Sequence, residues 1–136
     1  MTINMPRKGL NLRKGRRSRV NLDLESNQQI ALVKWARLKG LILISIPNHG
    51  KRTVWGGRRE KDMGLTVGVS DLFLSMPNKY FHGFWIELKS KGKFPTDLQY
   101  AWLIKMRAMG YCADWFDDWE KAKIAIEFYV SELENV

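Results

Sequence analysis

Residues 68–76 read GVSDLFLSM and residues 84–90 read FWIELKS. Both are short apolar runs, and the stretch between them, PNKYFHG, contains Pro, Asn and Gly. Two such runs around a turn predict an antiparallel β-hairpin. Charged residues lie inside both predicted strands: Asp71 in the first, and Glu87 and Lys89 in the second.

Side chains alternate across a strand, so Glu87 and Lys89 share one face of the predicted sheet. Reflection about the midpoint of the turn places Asp71 opposite Leu88 or Lys89, and therefore beside Glu87. Neighbouring strands are about 4.8 Å apart, and two carboxylates at that range in an apolar sheet repel each other unless a cation lies between them. The hairpin therefore predicts a site for a divalent metal ion.

Magnesium suits such a pair because it binds oxygen ligands and keeps several waters. The backbone carbonyl of Leu88 would add a third protein oxygen to those of Asp71 and Glu87. Lys89 would stand beside the ion, where its charge can orient a water and offset negative charge on a phosphate. These parts predict metal-assisted hydrolysis of phosphodiesters. The alternative is a simple ion pair of Glu87 with Lys89 on an edge strand.

The rest of the sequence predicts one α/β domain with the element order α-β-β-β-α-β-α. Apolar spacing and caps predict helices at 24–40, 95–110 and 117–134. Short apolar runs predict strands at 41–47 and 110–116. A glycine-rich loop is expected from 48 to about 59, with one helical turn after it. Thr96 and Gln99 have the spacing of a capping box at the start of the second helix.

The formal charge of +9 is distributed unevenly along the chain. Residues 1–20 contain seven basic residues and no acidic one, residues 21–111 carry +7, and residues 112–136 carry −5. We expect a basic flexible N-terminal arm at residues 1–21 and a folded domain at 22–136. A basic arm on a basic body favours a nucleic-acid partner; the alternative is a solvated tail.

Membrane and secretory assignments find no support in the sequence. No run of about 18 apolar residues is present, and the basic N-terminus lacks the apolar segment of a signal peptide. The single cysteine, Cys112, has no partner for an internal disulfide, which fits a reducing, cytoplasmic compartment.

An Asp on one strand followed by Glu-x-Lys on the next resembles the signature of the PD-(D/E)XK nuclease superfamily. The detail is similar to its VRR-NUC branch, the virus-type replication-repair nucleases. The matching text is LESNQQ with Glu25, NHG at 48–50, GLTVGVSDLFL at 64–74, GFWIELKSKGKFPTDLQ at 83–99, and GY before the last strand. The resemblance spans roughly residues 24–129. One departure is Ser70, where the family usually has Pro.

The resemblance implies a restriction-endonuclease-like core, with a mixed central sheet flanked by helices, and it implies roles for individual residues. Asp71 and Glu87 correspond to the metal-binding carboxylates and Lys89 to the catalytic lysine. Glu25 corresponds to a further acid of the metal site, bound directly or through water; read from the residues alone, it is equally a helix N-terminal acid favoured by the dipole. Gln99 corresponds to a site glutamine, a role compatible with capping its own helix.

The resemblance also implies an activity: an endonuclease that hydrolyses phosphodiester bonds in DNA with Mg²⁺ or Mn²⁺. Stand-alone VRR-NUC members resemble Holliday junction resolvases, act in DNA repair and tend to be homodimers. We therefore expect branched or four-way junction DNA as substrate, and a phage or prophage source with action in the bacterial host cytoplasm. The alternatives are a non-catalytic DNA-binding protein that retains the fold, and a nuclease that acts on RNA.

Basic residues near the expected site and in the arm are candidates for contact with the DNA backbone. They are Lys51, Arg52, Arg58, Arg59, Lys91, Lys93, Arg13, Lys14, Arg16 and Arg17. Among the six tryptophans, Trp55 in the glycine-rich loop is the candidate for stacking on a base, because Trp35, Trp102 and Trp119 fall in predicted helices.

Overall fold

The computed structural model describes residues 12–47 and 54–133, with side chains for 24–47 and 57–133. Four strands form one mixed sheet in the order β1-β2-β3-β4, with Leu43–Ser45 as β1, Leu72–Leu74 as β2, Phe84–Leu88 as β3 and Cys112–Phe116 as β4. The first three strands pair antiparallel, and β4 pairs parallel to β3. The helices are α1 (Leu12–Leu38), α2 (Val54–Asp62), α3 (Asp97–Ala108) and α4 (Trp119–Ser131). The predicted mixed sheet flanked by helices is confirmed.

Helix α2 lies where the sequence predicts a loop followed by a single helical turn. A Gly-Gly pair favours the loop, but the Arg, Glu and Lys residues that follow it are good helix formers. The helix ends at Asp62, and Gly64, two residues beyond it, has the left-handed φ of 106°. The Gly64 amide donates to the Lys61 carbonyl and the Leu65 amide to the Glu60 carbonyl. Within the described residues, α2 is therefore a helix of 9 residues where the sequence predicts a loop and one turn.

Helix α1 begins at Leu12, inside the segment that the sequence predicts to be an arm. Arg and Lys, which favour helices, are frequent in this segment and let the helix begin earlier than the sequence predicts. Residues 1–11 lie outside the described part of the chain. The division into an arm at 1–21 and a domain at 22–136 stays a prediction.

The main core lies between one face of the sheet and helices α1 and α4. Leu72 and Leu74 of β2 and Ile86 of β3 are fully buried there. Leu32 of α1 and Ile126 of α4 close this core from the helical side. Each of these side chains contributes roughly 1.5–3 kcal/mol through burial, so the central strands are held firmly at their positions.

Helix α3 covers the opposite face of the sheet. Trp85 of β3 packs edge-on against Trp102 of α3, with ring centroids 5.2 Å apart, and tilted against Phe73 of β2 at 4.4 Å. The predicted capping box is confirmed, since the Gln99 amide donates to Thr96 Oγ1 and the Thr96 amide donates to Gln99 Oε1. This box fixes the start of α3 over the end of β3 where the charged residues lie.

Candidate active site

The hairpin places Asp71 directly across from Glu87. The observed register pairs Leu72 with Ile86, and one further step along the ladder pairs Asp71 with Glu87. This extension differs by one or two residues from the predicted pairing of Asp71 with Leu88 or Lys89, and Asp71 lies beside Glu87 as predicted. The register centres the hairpin on residue 79, in a turn where Asn78 Oδ1 accepts from the amides of Tyr80 and Phe81.

Two hydrogen bonds join the two carboxylate groups to the opposite strands. The Asp71 amide donates to Glu87 Oε2 at 3.3 Å, and the Leu88 amide donates to Asp71 Oδ2 at 3.3 Å. Each carboxylate thus lies against the backbone that carries the other. Asp71 and Glu87 share the α3 face of the sheet, as alternation along the strands requires.

Lys89 and Gln99 meet at the other oxygen of Glu87. The Lys89 ammonium lies 3.3 Å from Oε1, and Gln99 Nε2 donates to the same oxygen at 2.8 Å. The Lys89 side chain is only 13% exposed, so its stem is held while its charge faces the carboxylates. Because Gln99 is also part of the capping box, α3 orients Glu87 through a single side chain.

Glu87 is a buried carboxylate whose negative charge is not fully compensated by the Lys89 ammonium. Its side chain is 1% exposed. Burial raises the pKa of Glu87 to about 8; the negative charge of Asp71 raises it as well, and the Lys89 ammonium opposes both effects. Lys89 therefore does not offset the burial of Glu87 and the nearby charge of Asp71, and a divalent cation would favour the ionised form of Glu87.

Glu25 approaches the end of β3 from helix α1. Its Oε1 accepts from the Ser90 amide at 3.2 Å. The Glu25 carboxylate therefore contacts the backbone of the residue that follows Lys89. Among the side chains of residues 24–47 and 57–133, no three His, Cys, Asp or Glu converge closely enough to hold a metal ion. The site thus contains a carboxylate pair, with Glu25 nearby on a backbone amide, and a role for Glu25 at the metal stays a prediction.

The carboxylate pair suits a magnesium or manganese ion by the chemistry of its donors. Mg²⁺ is commonly held by one or two carboxylates, with waters and substrate phosphates completing its shell. Asp71 and Glu87 are such a pair, and the raised pKa of Glu87 marks the charge that a cation would compensate. The Leu88 backbone runs along the Asp71 carboxylate, so its carbonyl is the predicted third oxygen.

The loop before Asp71 packs closely on the first turn of α3. Gly68 has φ of 92°, and a Cβ built on it would lie 2.6 Å from the Leu98 carbonyl oxygen. Ser70, at the position where the family usually has Pro, is 1% exposed. The approach to Asp71 is therefore fixed by close packing, without the stiffness that a proline would add.

The basic residues predicted to contact DNA are distributed over several segments. Lys91 and Lys93 are exposed in the turn just after Lys89, and Arg58 and Arg59 are exposed on α2. Lys51 and Arg52 lie outside the described residues, and Arg13, Lys14, Arg16 and Arg17 lie in the part of α1 whose side chains are not described. Their contacts with DNA stay predictions.

Sequence reasoning missed one neighbour of the site, Trp115. The parallel register of β3 and β4 makes Trp115 the partner of Glu87, so it flanks the carboxylates on the side away from Asp71. A parallel pairing has no short turn to reveal it. The only available signal was the aromatic character of the last predicted strand.

Comparison with solved structures supports the fold, whereas comparison with sequence families and curated proteins finds no match. Neither the family models nor the curated proteins give a match. Three solved chains match; one, a VRR_NUC domain protein, has a TM-score of 0.68 and 22% sequence identity, and the match covers 79% of this chain and 88% of that one. No helix within the described residues is long and apolar enough to span a membrane. The structural likeness confirms the resemblance in the sequence at the level of the fold: the chain has the α/β fold of a VRR-NUC domain.

Proposed function

We propose that the protein is a metal-dependent endonuclease that hydrolyses phosphodiester bonds in DNA. The observation that carries the proposal is the meeting of Asp71, Glu87 and Lys89 at the end of β3, where burial and the charge of Asp71 raise the pKa of Glu87 above its ordinary value. The net charge of +9 supports a polyanionic substrate. The VRR-NUC fold supports the same class of activity.

The chain's own residues have separate tasks in this proposal. Asp71 and Glu87, with the Leu88 carbonyl, would hold Mg²⁺ or Mn²⁺. Lys89 places a positive charge where a phosphate and an attacking water would lie. Gln99 holds Glu87 Oε1 by a donated hydrogen bond, which orients that carboxylate. Glu25 would complete the metal site, directly or through water.

A bound divalent cation supplies two things to this chemistry: it neutralises charge on the phosphate and it favours the ionised form of a water. The burial of Glu87 contributes to both, because charges in a water-poor site interact more strongly than in solvent. The exposed Lys91 and Lys93 next to Lys89 would bind the phosphates on either side of the cut.

We infer further that the preferred substrate is branched DNA, such as a four-way junction, and that the active form is a homodimer. Both inferences rest on the resemblance to stand-alone VRR-NUC nucleases. Two copies related by a twofold axis would present two sites to two strands. Sedimentation of the protein alone and with a junction tests the dimer, and a monomer in both samples would contradict it.

The activity is tested with junction, flap, nicked and linear DNAs in Mg²⁺, Mn²⁺ and EDTA. We expect cleavage of the junction that requires the metal, and a loss of at least about a hundredfold in Asp71→Ala and Lys89→Ala. Lys105→Ala, an exposed lysine of α3, is the matched control and should cut normally.

The outcomes separate the alternatives. DNA binding without cleavage in either metal would identify a non-catalytic DNA-binding protein with this fold. Equal rates on linear duplex and junction would reject the preference for branched DNA. Faster cleavage of the matched RNA substrates would reassign the enzyme to RNA.

A further inference from the structure

Three aromatic side chains form a cluster beside the carboxylate pair, and the proposed chemistry does not use them. Phe94 lies 5.6 Å from Trp115 between ring centroids, and Tyr100 lies 6.4 Å from the same ring; both are edge-on contacts. Phe94 belongs to the turn after β3, Trp115 to β4 and Tyr100 to the first turns of α3. We call these three residues the aromatic cluster.

Each residue of the aromatic cluster lies close to a residue of the candidate active site, either along the chain or across the sheet. Trp115 is the register partner of Glu87, Tyr100 follows Gln99, whose side chain holds Glu87, and Phe94 lies five residues after Lys89. Asp71, the residue before β2, flanks Glu87 on one side, and the aromatic cluster flanks it on the side of β4. A DNA strand that runs from the carboxylates towards β4 would pass over these rings.

Packing in the folded protein does not explain the aromatic side chain of Phe94, the most exposed ring of the cluster. Phe94 is 70% exposed, so it gains little from burial. Single exposed apolar residues are ordinary, but this one contacts a second aromatic ring and stands in a turn that contains the exposed Lys91 and Lys93. Aromatic faces combined with positive charge are the surface that binds nucleobases and phosphates of unpaired strands.

We propose that the aromatic cluster binds an unpaired nucleobase of the DNA substrate, with Phe94 as the ring that stacks on it and Trp115 and Tyr100 as its support. The proposal rests on the proposed function, since it places the cleaved strand at Asp71 and Glu87. It specifies the substrate class as DNA with an unpaired base next to the cut, as occurs at a flap or the crossover of a junction. Lys91 and Lys93 bind the phosphates of the same strand.

The test measures binding by fluorescence anisotropy in EDTA, so that no strand is cut. One probe is a duplex with a single-stranded arm of normal nucleotides, and the matched probe has the same arm with abasic residues and therefore the same phosphates. We expect the wild-type protein to prefer the normal arm. Phe94→Ala should bind the normal arm about tenfold more weakly than the wild type and should bind the abasic arm with unchanged affinity. Phe94→Trp should restore binding of the normal arm.

Phe128→Ala is the matched control, because Phe128 is 74% exposed on α4 and far along the chain from the site; it should bind both probes as the wild type does. The proposal is overturned if the wild type does not discriminate between the two arms. It is also overturned if Phe94→Ala binds the normal arm like the wild type, or loses affinity equally for both arms.

Failure of this proposal is distinguishable from failure of the nuclease assignment. Discrimination between the arms without cleavage in Mg²⁺ or Mn²⁺ would remove the enzyme and leave the base-binding site. Cleavage by the wild type together with unchanged binding by Phe94→Ala would remove the base-binding site and leave the enzyme.

Discussion

Replacing Glu87 by glutamine should stabilise the metal-free protein at alkaline pH while abolishing cleavage. The carboxylate is 1% exposed and its pKa is raised from 4.5 to about 8, mainly by burial. A pKa difference of one corresponds to about 1.4 kcal/mol, so ionised Glu87 costs up to about 5 kcal/mol above pH 8. Glutamine removes this charge and keeps nearly the same shape.

Losses in the variant offset part of this gain. Glutamine has one acceptor oxygen in place of two, so either the Asp71 amide at Oε2 or Gln99 Nε2 at Oε1 loses its acceptor; this costs about 1–3 kcal/mol. We therefore expect Glu87→Gln to be more stable than the wild type by about 2 kcal/mol at pH 8.5.

The pH dependence has a defined sign. The folded-state pKa of Glu87 lies above its unfolded value, so the folded chain binds the extra proton and the wild type loses stability as the pH rises from about 4.5 to 8. Below this window the penalty disappears, and Glu87→Gln should be no more stable than the wild type. Urea unfolding in EDTA at pH 4.5, 6.5 and 8.5 measures the difference.

A control and a metal titration complete the experiment. Glu127→Gln, at a 53% exposed acid on α4, should change stability by less than about 0.5 kcal/mol at each pH. Added Mg²⁺ should stabilise the wild type and not Glu87→Gln. A variant that is less stable than the wild type at every pH, with no change in the difference between pH 4.5 and 8.5, would refute the reasoning.

Four further predictions concern other parts of the molecule. Gln99→Ala and Thr96→Ala should both destabilise α3 by about 1 kcal/mol, but only Gln99→Ala should also slow cleavage, because only Gln99 contacts Glu87; equal cleavage rates for the two would contradict this. Gly68→Ala should lower stability and activity more than Gly64→Ala, since both glycines have positive φ but only Gly68 lies against a carbonyl; unfolding and cleavage assays compare them. Burial raises the pKa of the Cys112 thiol to about 11, so iodoacetamide at pH 8 should modify it roughly a hundredfold more slowly than after denaturation, and equal rates would exclude the shift. Deleting residues 1–20 should weaken DNA binding and reduce its dependence on salt, whereas unchanged affinity would make the arm a passive tail.

The sequence was sufficient for the parts of the fold that depend on local rules. Alternation along a strand puts Glu87 and Lys89 on one face, and this follows from chain geometry alone. The capping box of Thr96 and Gln99 is likewise a short-range motif, and the structure has it as predicted. Only the last turn of helix α2 was predicted, because a Gly-Gly pair is a local signal for a loop, which its helix-forming neighbours override.

What the sequence alone determined is that two carboxylates and a lysine occupy adjacent strands of one hairpin, since neighbouring strands joined by a short turn have few possible registers. The tertiary structure decided the register of β2 with β3, the approach of Glu25 from α1 to the Ser90 amide, and the position of Trp115 beside Glu87. These last two contacts join residues far apart in the chain, at 25 with 90 and at 87 with 115. Such pairs meet only through helix packing and a parallel crossover, which no local pattern of residues encodes.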